Sequence, residues 1–140
     1  TGLAGLELAD RGFTTIDGLD ISPAMLEEAR SKGVYRTLSE GDMTKPLTHL
    51  TGDTYGAVIS TGTFTHGHVG TEGLPELLRV TKPEGVVCLT INNGVYDDYG
   101  FQAAFDTLEQ SGQAEVLENI EADYLRDQGI GCRLVTLKIR

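Results

Sequence analysis

One junction in this chain is built for a strand that runs directly into a helix, and it restricts the fold more than any other feature. An apolar run beginning near Phe13 closes in Gly18-Leu19-Asp20-Ile21, and Ser22-Pro23 follows at once. A serine hydroxyl satisfies the first free amides of a helix, and the fixed φ of proline suits the first helical position. The spacing therefore predicts a helix from Pro23 to about Lys32, with Glu27 and Glu28 near its start and Arg30 and Lys32 near its end, as the helix dipole favours. Gly33 ends it. A strand that hands over to a helix in this way belongs to an α/β protein.

The same alternation runs through the rest of the chain. Gly2 to Arg11 reads as a short helix with Leu3, Leu6 and Ala9 at helical spacing, and the Leu3/Leu6 stripe is expected to face a core. Val34 to Ser39 reads as a second strand, closing in Glu40-Gly41-Asp42-Met43. Tyr55 to Ser60 and Val86 to Ile91 are short apolar runs expected as buried strands. Thr61 to Gly70 reads as a loop, Glu72 to Val80 as a helix, and Pro83-Glu84-Gly85 as a turn. A further helix carries Phe101, Ala104, Phe105 and Leu108 to Gly112. Glu115 to Tyr124 and Arg133 to Ile139 alternate in part and read as an antiparallel pair joined by a Gly-containing turn. The expected fold is α/β: a doubly wound, mainly parallel Rossmann-like sheet with an antiparallel hairpin at its C-terminal end. Glycine, at 18 of 140 residues, is about twice as frequent as usual. Such scattered glycine suits a chain with many tight strand–helix turns.

A chain of 140 residues without repeats or linkers is expected as a single domain, residues 1–140. Its 11 basic and 21 acidic residues give a net charge of −10, which disfavours binding to a phosphate backbone. No apolar run is long enough to span a membrane, and the N-terminus shows no signal-peptide pattern. Cys88, expected as a core residue, and Cys132, expected in a hairpin turn, have no metal-like or redox-like spacing. The expected setting is the cytoplasm, with no nucleic-acid or membrane partner.

In a doubly wound sheet, ligands bind beyond the carboxyl ends of the strands, where glycine allows close approach and a helix N-terminus receives anions. An acid about 20 residues on, at the tip of the next strand, can accept hydrogen bonds from a ribose. Gly2 and Asp20 stand at about that separation, although Asp20 would equally suit a turn before Ser22. Asp42 lies at the following strand tip. A carboxylate there can accept from the exocyclic amine of adenine, with Ile21 and Met43 as apolar faces, or it can cap the next segment.

Thr1-Gly2-Leu3-Ala4-Gly5, Gly18-Leu19-Asp20-Ile21-Ser22, Glu40-Gly41-Asp42-Met43 and Pro83-Glu84-Gly85 resemble successive motifs of a class I S-adenosylmethionine-dependent methyltransferase. The stretch Gly62-Thr63-Phe64-Thr65-His66-Gly67-His68-Val69-Gly70 resembles the methyltransferase-like proteins of the Williams–Beuren syndrome region group. The resemblance implies S-adenosylmethionine as cofactor and S-adenosylhomocysteine as product. It implies that Asp20 binds the ribose diol, that Asp42 and Met43 frame the adenine, and that Ser60, Thr61 and Gly62 pass near the methionine moiety. Gly2 and Ser22 belong to the same cofactor-binding set.

The family's first strand and the opening of its glycine loop would precede Thr1. In the family that strand lies between those ending at Asp20 and Ser60, and without it two rows of backbone groups lack partners. The expectations are a fragment, a gap closed by direct pairing of its neighbours, or a strand supplied by another chain in a homo-oligomer. The missing loop carries much of the methionine site.

Methyl transfer from a sulfonium needs orientation and exclusion of water, with a base only if the nucleophile has a proton to lose. His66 and His68, on the loop after Ser60, are the candidate bases, or they brace that loop through backbone carbonyls. His66-x-His68 alone is a poor metal site, so no metal is expected. Tyr96, Asp97, Asp98 and Tyr99 either line the substrate mouth or form a solvated cap for the next helix. The leading expectation is methyl transfer to a small molecule. The alternatives are an NAD-dependent oxidoreductase and a truncated or degenerate nucleotide-binding domain without catalysis.

Overall fold

The computed structural model describes residues 1–125 and 129–140. The backbone forms two compact units, Thr1–Asp42 and Met43–Arg140, and the strands divide between two sheets.

The first unit contains α1 (Leu3–Asp10), β1 (Asp17–Asp20), α2 (Pro23–Arg30) and β2 (Thr37–Glu40). β1 and β2 are parallel, from Asp17 opposite Thr37 to Asp20 opposite Glu40. Among the described residues, β1 pairs only with β2. The helix junction forms as the residues require: Pro23 opens α2, and the Ser22 hydroxyl accepts the Met25 amide at 3.3 Å. The second strand begins at Thr37 rather than Val34, because Tyr35 is used to pack against α1. The Gly5 amide donates to the Tyr35 hydroxyl at 3.0 Å, and a Cβ on Gly5 would stand 2.3 Å from the ring.

This contact corrects one expectation. The Leu3/Leu6 stripe is not a core face in this unit: Leu3 is 62% exposed, and Gly5 is the buried residue of α1. The inward side of the helix is its glycine side, since only there can the tyrosine ring approach.

The second unit contains β3 (Tyr55–Phe64), a 3-10 turn (Thr71–Gly73), α3 (Leu74–Val80), β4 (Thr81–Asn92), α4 (Asn93–Asp98), α5 (Phe101–Gln110), β5 (Ala114–Leu125) and β6 (Ile130–Ile139). Its sheet has the order β3-β4-β6-β5. β3 and β4 are parallel, whereas β4–β6 and β6–β5 are antiparallel. This is the expected α/β pattern with an antiparallel C-terminal pair. The turn expected in that pair includes residues 126–128, which lie outside the described residues.

Alternate residues Val87, Leu89 and Ile91 of β4 and Val135, Leu137 and Ile139 of β6 are buried with Leu74 and Leu77 of α3 and Phe101 and Phe105 of α5. Phe64 meets Phe101 edge-on at 5.6 Å, and Tyr96 stacks on Phe101 at 6.2 Å. On the opposite face the side chains are less covered. Ile59 is 45% exposed, and Gly56 and Ala57 are exposed as well, so of the run Tyr55–Ser60 only Ser60 is buried. Cys88, on the same side, is half-buried rather than a core residue, with its Sγ 3.4 Å from Thr136 Oγ1. Cys132 lies inside β6 rather than in a turn. It is buried, and burial, followed by the nearby Asp123 carboxylate, pushes its thiol pKa up.

Further boundaries differ from expectation. β3 continues past Ser60 to Phe64, β4 begins at Thr81 so that Pro83-Glu84-Gly85 lies inside the strand at a register shift instead of forming a separate turn, and α4 forms a separate helix.

Candidate functional site

In the first unit, the carboxyl ends of the two parallel strands bring two acids to neighbouring tips. The Gly41 amide donates to the Asp20 carbonyl at 3.1 Å, so the chain leaving β2 toward Asp42 is fastened to the end of β1. Asp20 Oδ1 accepts the Ser22 amide at 2.9 Å. This bond holds the carboxylate at the tip and meets the expected turn role. Beside it Ile21 is 63% exposed, an apolar side chain presented at a strand end. The Ser22 hydroxyl is committed to capping α2.

Gly2 has φ +86°, and a Cβ there would lie 2.6 Å from Ala29 Cα. A side chain at Gly2 would drive α1 away from α2. The structure thus supplies a packing reason for this glycine.

In the second unit, the carboxyl end of β3 is distorted. Ser60 pairs with Leu89 and Phe64 with Ile91, so three residues on β3 stand against one on β4. Such a bulge lifts backbone out of the ladder and re-aims it, a device common beside active sites. Gly62 has φ +72°, a conformation that favours glycine, and its amide donates to Thr90 Oγ1 at 3.2 Å. Thr61 and Gly62 are exposed. Ser60 is buried and donates to Thr63 Oγ1 at 3.0 Å. Met43 is partly buried against the core of this unit.

The loop after β3 carries His66 and His68, both exposed. The His66 ring meets Tyr99 edge-on at 6.3 Å. Its Nε2 would lie 2.7 Å from a Cβ at Gly94, so the imidazole packs over the first turn of α4. The His68 amide donates to the Thr65 carbonyl at 3.1 Å. Among the described residues, no group of three or more His, Cys, Asp or Glu side chains is placed to hold a metal ion.

α4 is the feature that sequence reasoning missed. Asn92 ends β4 and caps the helix, its Oδ1 accepting the amides of Gly94 at 2.9 Å and Val95 at 3.3 Å. Tyr96 is buried, which corrects for that residue the expectation of a substrate mouth or a solvated cap; Asp97, Asp98 and Tyr99 are exposed. The Tyr96 hydroxyl donates to Gln102 Oε1 at 2.6 Å and accepts from Asn119 Nδ2 at 2.7 Å. The Arg133 guanidinium lies over the Tyr96 ring, 5.1 Å from its centre. A signal was present: Asn92-Asn93-Gly94 directly after an apolar strand is a helix-cap pattern.

Residues 1–89 match the family described as Methyltransferase domain. The human Methyltransferase-like protein 27 is 40% identical over 134 residues, 92% of this chain and 54% of the relative. The chain belongs to the methyltransferase domain family. It spans about half the length of that curated relative. Solved structures share the fold. A TehB-like S-adenosylmethionine-dependent methyltransferase from Corynebacterium glutamicum matches with a TM-score of 0.69 at 17% identity, over 97% of this chain and 73% of its own. A Galdieria sulphuraria protein assigned as a sarcosine dimethylglycine methyltransferase matches with a TM-score of 0.64 at 15% identity, over 96% of this chain and 75% of its own. The cofactor of this family is S-adenosylmethionine. Every residue assigned above to cofactor binding, with His66 and His68, falls inside the family match.

Proposed function

We propose that this chain carries out S-adenosylmethionine-dependent methyl transfer to a small molecule. The observation that carries the reading is the pair of acids at adjacent strand tips, Asp20 and Asp42, joined through the Gly41 amide and the Asp20 carbonyl. The residues fit the cofactor by type. The Asp20 carboxylate, held by Ser22, accepts from the ribose diol, and Asp42 accepts from the adenine amine. Exposed Ile21 supplies an apolar surface for the ring. In the second unit, the family resemblance assigns Met43 to the adenine and Ser60, Thr61 and Gly62 to the methionine moiety. All of these residues lie within the family match, residues 1–89.

When bound, the cofactor supplies a methyl group on a positively charged sulfur. The chain's own work is to orient the acceptor, exclude water and accept a proton where the acceptor loses one. His66 takes that proton. It sits on the loop after β3 and is held by Tyr99 and the first turn of α4. The small-molecule reading is supported by the net charge of −10, which repels nucleic acid, and by the fold shared with the Galdieria protein. A cytoplasmic setting is supported by the two free cysteines, Cys88 and Cys132.

The test is substitution with separate readouts. Asp20→Ala is expected to abolish S-adenosylhomocysteine binding while leaving the circular dichroism spectrum unchanged; unaltered affinity removes Asp20 from the site. His66→Ala is expected to lower turnover more than cofactor affinity, and equal losses in both favour a bracing role for the loop.

A further inference from the structure

We infer that Arg133 selects the methyl acceptor by binding a carboxylate on it; the inference rests on the methyl-transfer reading above. Three strand residues of the four-stranded sheet are basic: Lys82, Arg133 and Lys138. Lys82 is near the start of β4, and Lys138 pairs with Val86, also toward that end. Arg133 pairs with Ile91, one residue before β4 ends at Asn92. It is therefore the strand cation at the carboxyl edge, where ligands of such sheets bind.

Its surroundings hold it without using it up. The guanidinium rests on the Tyr96 ring at 5.1 Å. That ring is fixed in turn by the bonds of its hydroxyl to Gln102 and Asn119. Aromatic support leaves the in-plane N–H donors of arginine available, because the attraction acts through the face of the cation. The neighbouring carboxylate, Glu121, stands 3.9 Å away with its side chain 74% exposed, whereas that of Arg133 is 31% exposed. At that separation the pair makes no hydrogen bond. A planar fork of donors on a fixed ring matches the two oxygens of a carboxylate.

α4 also limits acceptor size. His66 packs on its first turn at Gly94, and Arg133 on Tyr96 two residues later. The six residues of α4 span only about 9 Å of helix axis. An acceptor whose nucleophile meets His66 while its carboxylate meets Arg133 is therefore a small molecule.

The experiment follows the Arg133 side-chain Nε–H resonance by NMR, assigned with Arg133→Lys. The protein is titrated with glycine, sodium acetate, methylamine and sodium chloride at matched ionic strength, with and without saturating S-adenosylhomocysteine. Glycine and acetate are expected to move the Arg133 resonance along a saturating curve; methylamine and chloride are not. By calorimetry, Arg133→Ala is expected to weaken glycine binding at least tenfold, with S-adenosylhomocysteine affinity within twofold of the parent. Arg133→Lys, which keeps the charge but not the fork, should fall between. An Arg133 resonance unmoved by carboxylates, or moved equally by chloride, overturns the inference. So does glycine binding unchanged in Arg133→Ala. Loss of S-adenosylhomocysteine binding in the parent protein removes the methyltransferase reading, and the acceptor role with it, whatever Arg133 does.

Discussion

At the scale of single residues, Gly5 leaves room for Tyr35, and Gly18 leaves room for Leu38 and Tyr35. A Cβ on Gly5 would stand 2.3 Å from Tyr35 Cζ, and one on Gly18 would stand 2.9 Å from Cε1. Gly5→Ala is expected to destabilise the chain by about 1–3 kcal/mol, the usual cost of overpacking. Gly56, which has no atom within 4 Å of a built Cβ, is the control: Gly56→Ala should change stability by less than about 0.5 kcal/mol. Urea denaturation of the two variants checks both values. A second residue-scale prediction concerns pH. Glu76 accepts from Arg79 through both oxygens at 2.8 Å, and Oε2 also takes the Leu47 amide at 2.7 Å. The Arg79 hydrogen bonds hold the Glu76 carboxyl below its ordinary value of 4.5, against an opposing effect of burial. A carboxyl depressed in the folded state adds stability above its unfolded pKa and loses it as pH falls through the lower folded value. The melting temperature should therefore drop below about pH 4.5, and Glu76→Gln should flatten that part of the profile. An identical profile in the variant would remove the clamp from the acid response.

Among elements, α4 and the bulge in β3 shape the carboxyl end of the parallel strands in the second unit. Asn92→Ala removes the acceptor for the amides of Gly94 and Val95 and should cost about 1 kcal/mol. It should also free the His66 ring, seen as altered histidine NMR shifts, since that ring packs on the capped turn. Phe105→Ala in α5 removes a side chain that is 1% exposed and should cost about 3–5 kcal/mol, measured by the same denaturation. Local chemistry decided what could be read beforehand. Ser22-Pro23 states a helix start by itself, and the Asp20/Asp42 pairing follows from strand-tip spacing. α4 could not be read so directly: six residues gain little from propensity, and Tyr96 is held by Gln102 in the next helix and by Asn119, 23 residues away. Gly62 made the end of β3 read as loop, because a bulge needs the same positive φ as a turn. The Leu3/Leu6 stripe misled for a related reason, since periodicity identifies an apolar face without showing that a glycine face packs more closely.

For the whole molecule, the family assignment and the candidate site have different reach. The family match ends at residue 89 and includes every proposed cofactor contact, whereas α4, Tyr96 and Arg133 lie beyond it. On the proposed reading, cofactor binding falls to the first part of the chain, where a sheet edge pairs two acids, and acceptor choice to the second, where Arg133 lies. The most direct measurement is calorimetric titration of the chain with S-adenosylhomocysteine, with NAD as the control ligand and Asp20→Ala as the control protein. Saturable binding of S-adenosylhomocysteine alone, lost in Asp20→Ala, is the predicted result. Binding of NAD, no binding of either ligand, or S-adenosylhomocysteine binding indifferent to Asp20 would contradict it.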